Sequence, residues 1–276
     1  MIPLSIDHPL TIVIGLGFLG VNLVCLLTML GLRPGSQETL RFSDLLRGGL
    51  AEALGTFAWL LVSGLLIVAG HGERWEIALV TGGLLTALML GPGVISGGHF
   101  NPAVTVALTV AGRHSFSACV LWLVGQLLGA GLAFALLILG VGQEGLVPLL
   151  PVPDAALNPR MVFLLEVVAS FVFLLVVSTA TLRSSPLVAV ASGMTFGVLL
   201  LVFGPLTGCG INPARYAATA LLLGNFEAGA TYLTAPFIGA VVAAALVQCC
   251  FVQQPQPHAA EFPEDASKPT IRHWAA

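Results

Sequence analysis

The sequence predicts an all-α membrane protein made of two related halves, each with three membrane-spanning helices and one shorter helix. Three observations favour this fold class. Only 8% of the 276 residues are charged and the mean hydropathy is +0.99, whereas soluble domains carry roughly 25% charged residues. Several apolar runs reach the roughly 20 residues that a helix needs to cross a bilayer. The tripeptide Asn-Pro-Ala occurs twice, beginning at Asn101 and at Asn212.

Apolar runs bounded by glycine, proline and charged residues predict seven spans. We interpret the first as a retained extra N-terminal helix, because no basic segment precedes it and its apolar run of about 23 residues exceeds that of a signal peptide. Most Lys and Arg residues fall on one side of the predicted topology, which places the C-terminus in the cytoplasm. The spans lie near residues 10–32, 47–70, 77–95, 116–141, 161–182, 187–204 and 231–252.

The core contains an internal repeat. The segment EALGTF at 52–57 aligns with EVVASF at 166–171, and QLLGA at 126–130 aligns with PFIGA at 236–240. Because each half has an odd number of spans, the second half must enter the membrane in the opposite orientation, and such folds carry their working site near the midplane. We therefore predict an N-terminal helix and linker at 1–46, a core domain at 47–252 with halves at about 47–141 and 161–252, and a disordered tail at 253–276.

Each Asn-Pro-Ala predicts the start of a re-entrant half-helix. Asn is a favoured N-cap, and Pro at the first helical position loses no hydrogen bond. Only about ten apolar residues follow each tripeptide, which is too few to span a bilayer. Two such helix starts would direct partial positive charge at the membrane centre, where a cation or proton is disfavoured. The residues concerned are Asn101, Pro102, Ala103, Asn212, Pro213 and Ala214.

Glycine-rich segments precede both tripeptides. Non-helical backbone at membrane depth is tolerated where it lines a water-filled cavity, and glycine lets backbone carbonyls turn inward. The sequence therefore predicts a narrow, wet pore lined by the carbonyls of Gly97, Gly98, His99, Gly208 and Gly210.

The segments SGGHFNPAVT and TGCGINPAR, together with Glu52, Gln126 and Glu166, closely resemble the signatures of the aquaporin, or major intrinsic protein, family. The resemblance covers about residues 48–248. It implies the aquaporin fold and a homotetramer in a lipid bilayer with one pore per subunit. It also implies that the Asn101 and Asn212 amides donate to passing water and so interrupt proton hopping.

Counting from the two motifs, the resemblance assigns a selectivity filter to Thr81, Leu200, Cys209 and Arg215. Water-selective members of the family usually carry an aromatic residue and a histidine at the first two positions, so Thr81 and Leu200 suggest a wider opening. The glycerol branch usually has an Asp after the second motif, where this chain has Tyr216. We predict a passive water channel that excludes protons and ions. The alternative is a broader channel for water and small neutral solutes such as glycerol, urea, ammonia or hydrogen peroxide.

Two further hypotheses concern titratable residues. Glu52 and Glu166 are predicted to accept hydrogen bonds from backbone N–H groups of the re-entrant segments. The alternative is that they relay protons in an ion-coupled transporter. His99 is interpreted as a structural residue of its loop, with gating by titration as the alternative.

A structural membrane protein with a narrowed pore is a further, less favoured hypothesis for the function of the chain.

Other classes are not indicated by the sequence. We find no catalytic arrangement of side chains, no metal-ligand spacing and no cofactor motif. A net charge of −3 without a basic block gives no basis for nucleic-acid binding. We predict a multi-pass protein of the plasma membrane that is not an enzyme.

Overall fold

The computed structural model describes residues 41–70, 72–182 and 185–251. The predicted first span at 10–32 and the predicted tail at 253–276 lie outside the described residues. Short 3₁₀ helices lie at Pro92–Ile95 and Glu144–Leu149. The described residues form eight α-helices: α1 (Phe42–Val68), α2 (Arg74–Leu90), α3 (Pro102–Val110), α4 (Phe116–Val141), α5 (Pro159–Ala180), α6 (Ser185–Thr207), α7 (Pro213–Leu223) and α8 (Gly229–Cys250).

Six helices are long and two are short. Among the described residues, α1, α4, α5, α6 and α8 are long and apolar enough to cross a membrane. Helix α2 has 17 residues and ends at Leu90, earlier than the predicted span at 77–95. Gly91 and Pro92 end it there, because Pro92 cannot continue the helical hydrogen bonding. The short helices α3 and α7 each begin at the proline of an Asn-Pro-Ala motif.

The helix packing repeats between the two halves. Helix α1 packs on α4 in the first half as α5 packs on α8 in the second, and α2 of the first half packs on α6 of the second. Each half-helix packs on the last helix of the opposite half, α3 on α8 and α7 on α4. The two halves therefore share one core, with α3 and α7 held between them.

Glycines permit the close approach of α2 and α6. A Cβ atom built on Gly82 would overlap the carbonyl oxygen of Gly193, and one built on Gly193 would overlap the carbonyl oxygen of Gly82. Small residues at such a contact let helix backbones pack closely within a membrane. This contact positions Thr81, which precedes Gly82, beside the second half of the molecule.

We expect Gly82→Ala to destabilise the fold, because the added methyl group must separate α2 from α6. Overpacking of this kind costs about 1–3 kcal/mol. Gly83→Ala is the matched control, since a Cβ atom at Gly83 meets nothing within 4 Å. The midpoint of thermal unfolding in detergent should fall for Gly82→Ala alone. Equal midpoints for the two variants would contradict the interpretation of this helix contact.

Candidate functional site

The two half-helices have matching N-termini. The side chain of Asn101 caps α3 by accepting from the backbone N–H of Ala103 at 2.9 Å. The side chain of Asn212 caps α7 by accepting from Ala214 at 3.0 Å and Arg215 at 3.4 Å. Both caps occupy donors that a helix start leaves free. The amide nitrogens of both asparagines therefore remain directed away from their own helices.

Those amide nitrogens join the two halves. Asn101 Nδ2 donates to the carbonyl oxygen of Ile211 at 3.0 Å, and Asn212 Nδ2 donates to the carbonyl oxygen of Phe100 at 2.8 Å. Each amide nitrogen carries two hydrogens, so each has one hydrogen beyond the bond that spans the halves. The N-termini of α3 and α7, with their partial positive charge, are thereby held together.

Glu52 supports the first re-entrant segment from α1. Its carboxylate accepts from Ser96 Oγ at 2.5 Å and from the backbone N–H groups of His99 at 2.9 Å and Phe100 at 2.6 Å. Gln126 Nε2 of α4 donates to the same carboxylate at 2.7 Å. Each carboxylate oxygen therefore has two donors, as expected for a charge that is fully buried.

Glu166 occupies the related position on α5 but has fewer partners. It accepts from Thr207 Oγ1 at 2.5 Å and from the backbone N–H of Gly210 at 2.9 Å, both through Oε1. Its other oxygen, Oε2, has no hydrogen-bond partner among the described residues. In the repeat, Gln126 aligns with Pro236, which has no side-chain donor. The two carboxylates therefore differ in how firmly they are held.

The segments before both half-helices use left-handed backbone at aligned positions. Gly97 and Gly98 have φ values of 100° and 65°, and Gly208 and Cys209 have values of 73° and 48°. Glycine adopts such conformations without steric cost, whereas Cys209 does not. The backbone N–H of Gly210 donates to Glu166, and the carbonyl of Gly210 accepts from the backbone N–H of Asn212.

Arg215 is anchored by the second of these segments. Its Nη1 donates to the carbonyl oxygen of Cys209 at 2.9 Å, and its Nη2 donates to that of Gly208 at 3.3 Å. The guanidinium group therefore has a fixed position. The side chain of Cys209 is 0% exposed.

A small cavity adjoins Arg215 and is called the arginine cavity here. Its volume is about 30 Å³. Three of the four predicted filter residues, Thr81, Leu200 and Arg215, line it, whereas the side chain of Cys209 does not. Its other lining residues are Trp59, Leu60, Ser63, Gly64, Ile67, Phe134, Leu149 and Phe196.

The aromatic residues of the arginine cavity were not predicted from the sequence. Trp59 comes from α1, Phe134 from α4 and Phe196 from α6. One signal was available for Trp59: it follows Glu52 by two helical turns and so lies on the same face of α1. The other two residues lie in uniformly apolar helices, where no pattern distinguishes them from core residues.

A second cavity of about 280 Å³ is called the histidine cavity. It is lined by Gly97, Gly98, His99 and His114, with residues from α2, α3, α5 and α6. The rings of His99 and His114 pack edge to face at 4.7 Å, and both contact Trp122. His99 Nδ1 lies 3.0 Å from Thr105 Oγ1, so the ring is held by its neighbours.

We expect water flux to be insensitive to titration of His114 between about pH 5 and pH 8. The pKa of His114 is lowered from 6.5 to about 3: burial is the largest cause, His99 and Arg113 also lower it, and Glu52 raises it. The imidazole therefore remains neutral across this range and gains its proton only as the pH falls toward 3. Flux into proteoliposomes should match at the two pH values. A pH dependence that His114→Ala removes would contradict this expectation.

The two half-helices are joined at their N-termini inside a bundle of long helices, and each lines a cavity, Arg215 of α7 the arginine cavity and Val104 of α3 the histidine cavity. This arrangement is typical of a membrane channel. The sequence model described as "Major intrinsic protein" matches residues 39–247. This chain belongs to the major intrinsic protein family. It is a multi-pass integral membrane protein with the aquaporin fold, and its family comprises channels rather than enzymes.

Relatives in this family carry different names. The chain is 32% identical over 206 residues to "Glycerol uptake facilitator protein-like 6" of Lactiplantibacillus plantarum, covering 72% of this chain and 95% of that protein. It is 39% identical over 169 residues to "Probable aquaporin TIP3-2" of Oryza sativa subsp. japonica, covering 60% and 63%. The solved structure of the aquaglyceroporin from Plasmodium falciparum superposes with a TM-score of 0.67 at 19% identity, covering 74% and 96%. That superposition shows the fold alone.

Proposed function

We propose that the chain is a passive water channel that excludes protons and ions. The supporting observation is the size of the arginine cavity, about 30 Å³ beside Arg215. A site needs roughly 10–15 Å³ to hold one water molecule, so this cavity holds at most two or three. The larger histidine cavity would act as a vestibule on the other side of the half-helices.

The barrier to ions is proposed to have two parts. The fixed guanidinium group of Arg215 repels cations at the arginine cavity. The free amide hydrogens of Asn101 and Asn212 then donate to a water oxygen, which prevents that water molecule from accepting a proton from the neighbouring water in the pore. Partial positive charge at the N-termini of α3 and α7 acts in the same direction. In this proposal Glu52 and Glu166 hold the re-entrant segments in place.

A broader channel for water and small neutral solutes is the second candidate. Thr81 and Leu200 line the arginine cavity with smaller side chains than an aromatic residue and a histidine. One relative is named "Glycerol uptake facilitator protein-like 6". This candidate predicts measurable glycerol entry.

We also propose a homotetramer in the plasma membrane with the C-terminus in the cytoplasm. Large apolar side chains on the outer surfaces of the long helices are exposed in the single chain, among them Leu128, Leu139 and Met194. Such a surface suits contact with lipid or with neighbouring subunits. The channel domain is proposed to cover 47–252.

Stopped-flow light scattering on proteoliposomes tests the proposal. A sucrose gradient should cause rapid shrinkage, and a glycerol gradient should cause equally rapid shrinkage without fast reswelling. Rapid reswelling under glycerol would favour the broader channel. Flux no faster than that of empty liposomes would contradict both candidates.

A further inference from the structure

Trp59 lines the arginine cavity together with Thr81, Leu200 and Arg215. Its side chain is 2% exposed, and its Nε1 donates to the backbone carbonyl of Thr81 at 3.1 Å. Its ring packs edge to face on Phe196 with centroids 4.8 Å apart, and Phe196 packs on Phe173 at 6.0 Å. The indole is therefore fixed at both its polar and its apolar edge.

Two hydroxyl groups line the same cavity. Ser63 lies one helical turn beyond Trp59 on α1, and Thr81 lies on α2. Both side chains are buried, and neither hydroxyl has a hydrogen-bond partner among the described residues. A buried hydroxyl without a partner is unfavourable. A polar solute in the cavity would supply the missing partner.

We propose that Trp59, rather than Thr81, sets the upper size limit of solutes that pass Arg215, with Ser63 and Thr81 providing hydrogen-bond positions for water or a small neutral solute. The Thr81 side chain alone would leave this side of the cavity open, and the indole from α1 closes it. The hydrogen bond to the Thr81 carbonyl keeps the ring from swinging out of the passage. This inference rests on the proposed channel function and names a residue that determines its selectivity.

The test compares variants in proteoliposomes exposed to urea, glycerol and erythritol, with solute permeability expressed relative to water permeability. We expect Trp59→Ala to raise the relative glycerol permeability about tenfold, the order of discrimination that a change in pocket size provides. Trp59→Phe keeps a ring but loses the bond to Thr81, so it should give a smaller increase. Trp59→Leu is a second variant that removes the indole ring, in case Trp59→Ala does not fold.

Trp75→Ala is the control at an exposed tryptophan of α2 and should retain the size limit of the wild type. Thr81→Ala removes one of the proposed hydrogen-bond positions, and we expect it to raise the relative glycerol permeability less than Trp59→Ala does. A raised limit in Thr81→Ala, with no change in Trp59→Leu and Trp59→Phe, would overturn the assignment to Trp59 while leaving the channel function intact. Absence of flux in the wild type would instead overturn the channel function, and this inference with it.

Discussion

Replacement of Glu52 by Gln is expected to prevent formation of a stable channel, whereas the same replacement of Glu166 is expected to be tolerated. Each oxygen of Glu52 accepts two hydrogen bonds. Two donors face each carboxylate oxygen of Glu52, so in either orientation of its amide a glutamine at this position directs its NH₂ group at two donors. Each buried group left without a partner costs about 1–3 kcal/mol.

Glu166 accepts both of its hydrogen bonds through Oε1, and its Oε2 has no partner among the described residues. The amide oxygen of Glu166→Gln can keep the bonds to Thr207 and Gly210, and the NH₂ group can replace Oε2 without facing a donor. The yield of monodisperse protein in detergent and its unfolding temperature provide the comparison. Equal loss in both variants would contradict this account of the two carboxylates.

We expect Arg215→Val to raise glycerol permeability about tenfold relative to water and to allow a measurable proton leak. The change removes the guanidinium group from a cavity of only about 30 Å³ and removes its positive charge, and pocket-size changes of this kind alter discrimination by about 10-fold or more. Glycerol reswelling and the collapse of an imposed pH gradient in proteoliposomes measure the two effects.

Arg215→Lys separates charge from geometry. Lysine keeps a positive charge but cannot reproduce the fork that donates to the carbonyls of Cys209 and Gly208. We expect this variant to remain closed to protons while its glycerol permeability rises. If Arg215→Val and wild type discriminate equally between water and glycerol, Arg215 does not contribute to selectivity.

The sequence was sufficient to predict most of the fold. Apolar length identified the long helices, and the two Asn-Pro-Ala motifs located the starts of α3 and α7, because capping is a local property of the chain. The aquaporin fold was predicted from the resemblance of the segments around these motifs to the aquaporin family. The end of α2 was placed too late, since an apolar run continues through Gly91 and Pro92 although the helix does not.

The sequence by itself therefore determined the family, the repeat and the identity of the half-helix caps. Only the tertiary structure decided which side chains face the arginine cavity. In the folded chain Trp59 of α1 contacts Thr81 of α2 and Phe196 of α6. The Cys209 side chain is buried, and the Cys209 carbonyl accepts a hydrogen bond from Arg215. The physical reason is that these contacts depend on how closely α1, α2 and α6 pack. The distance between these helices is set jointly by residues of both halves, such as Gly82 and Gly193. It therefore cannot be predicted from the residue pattern of one helix.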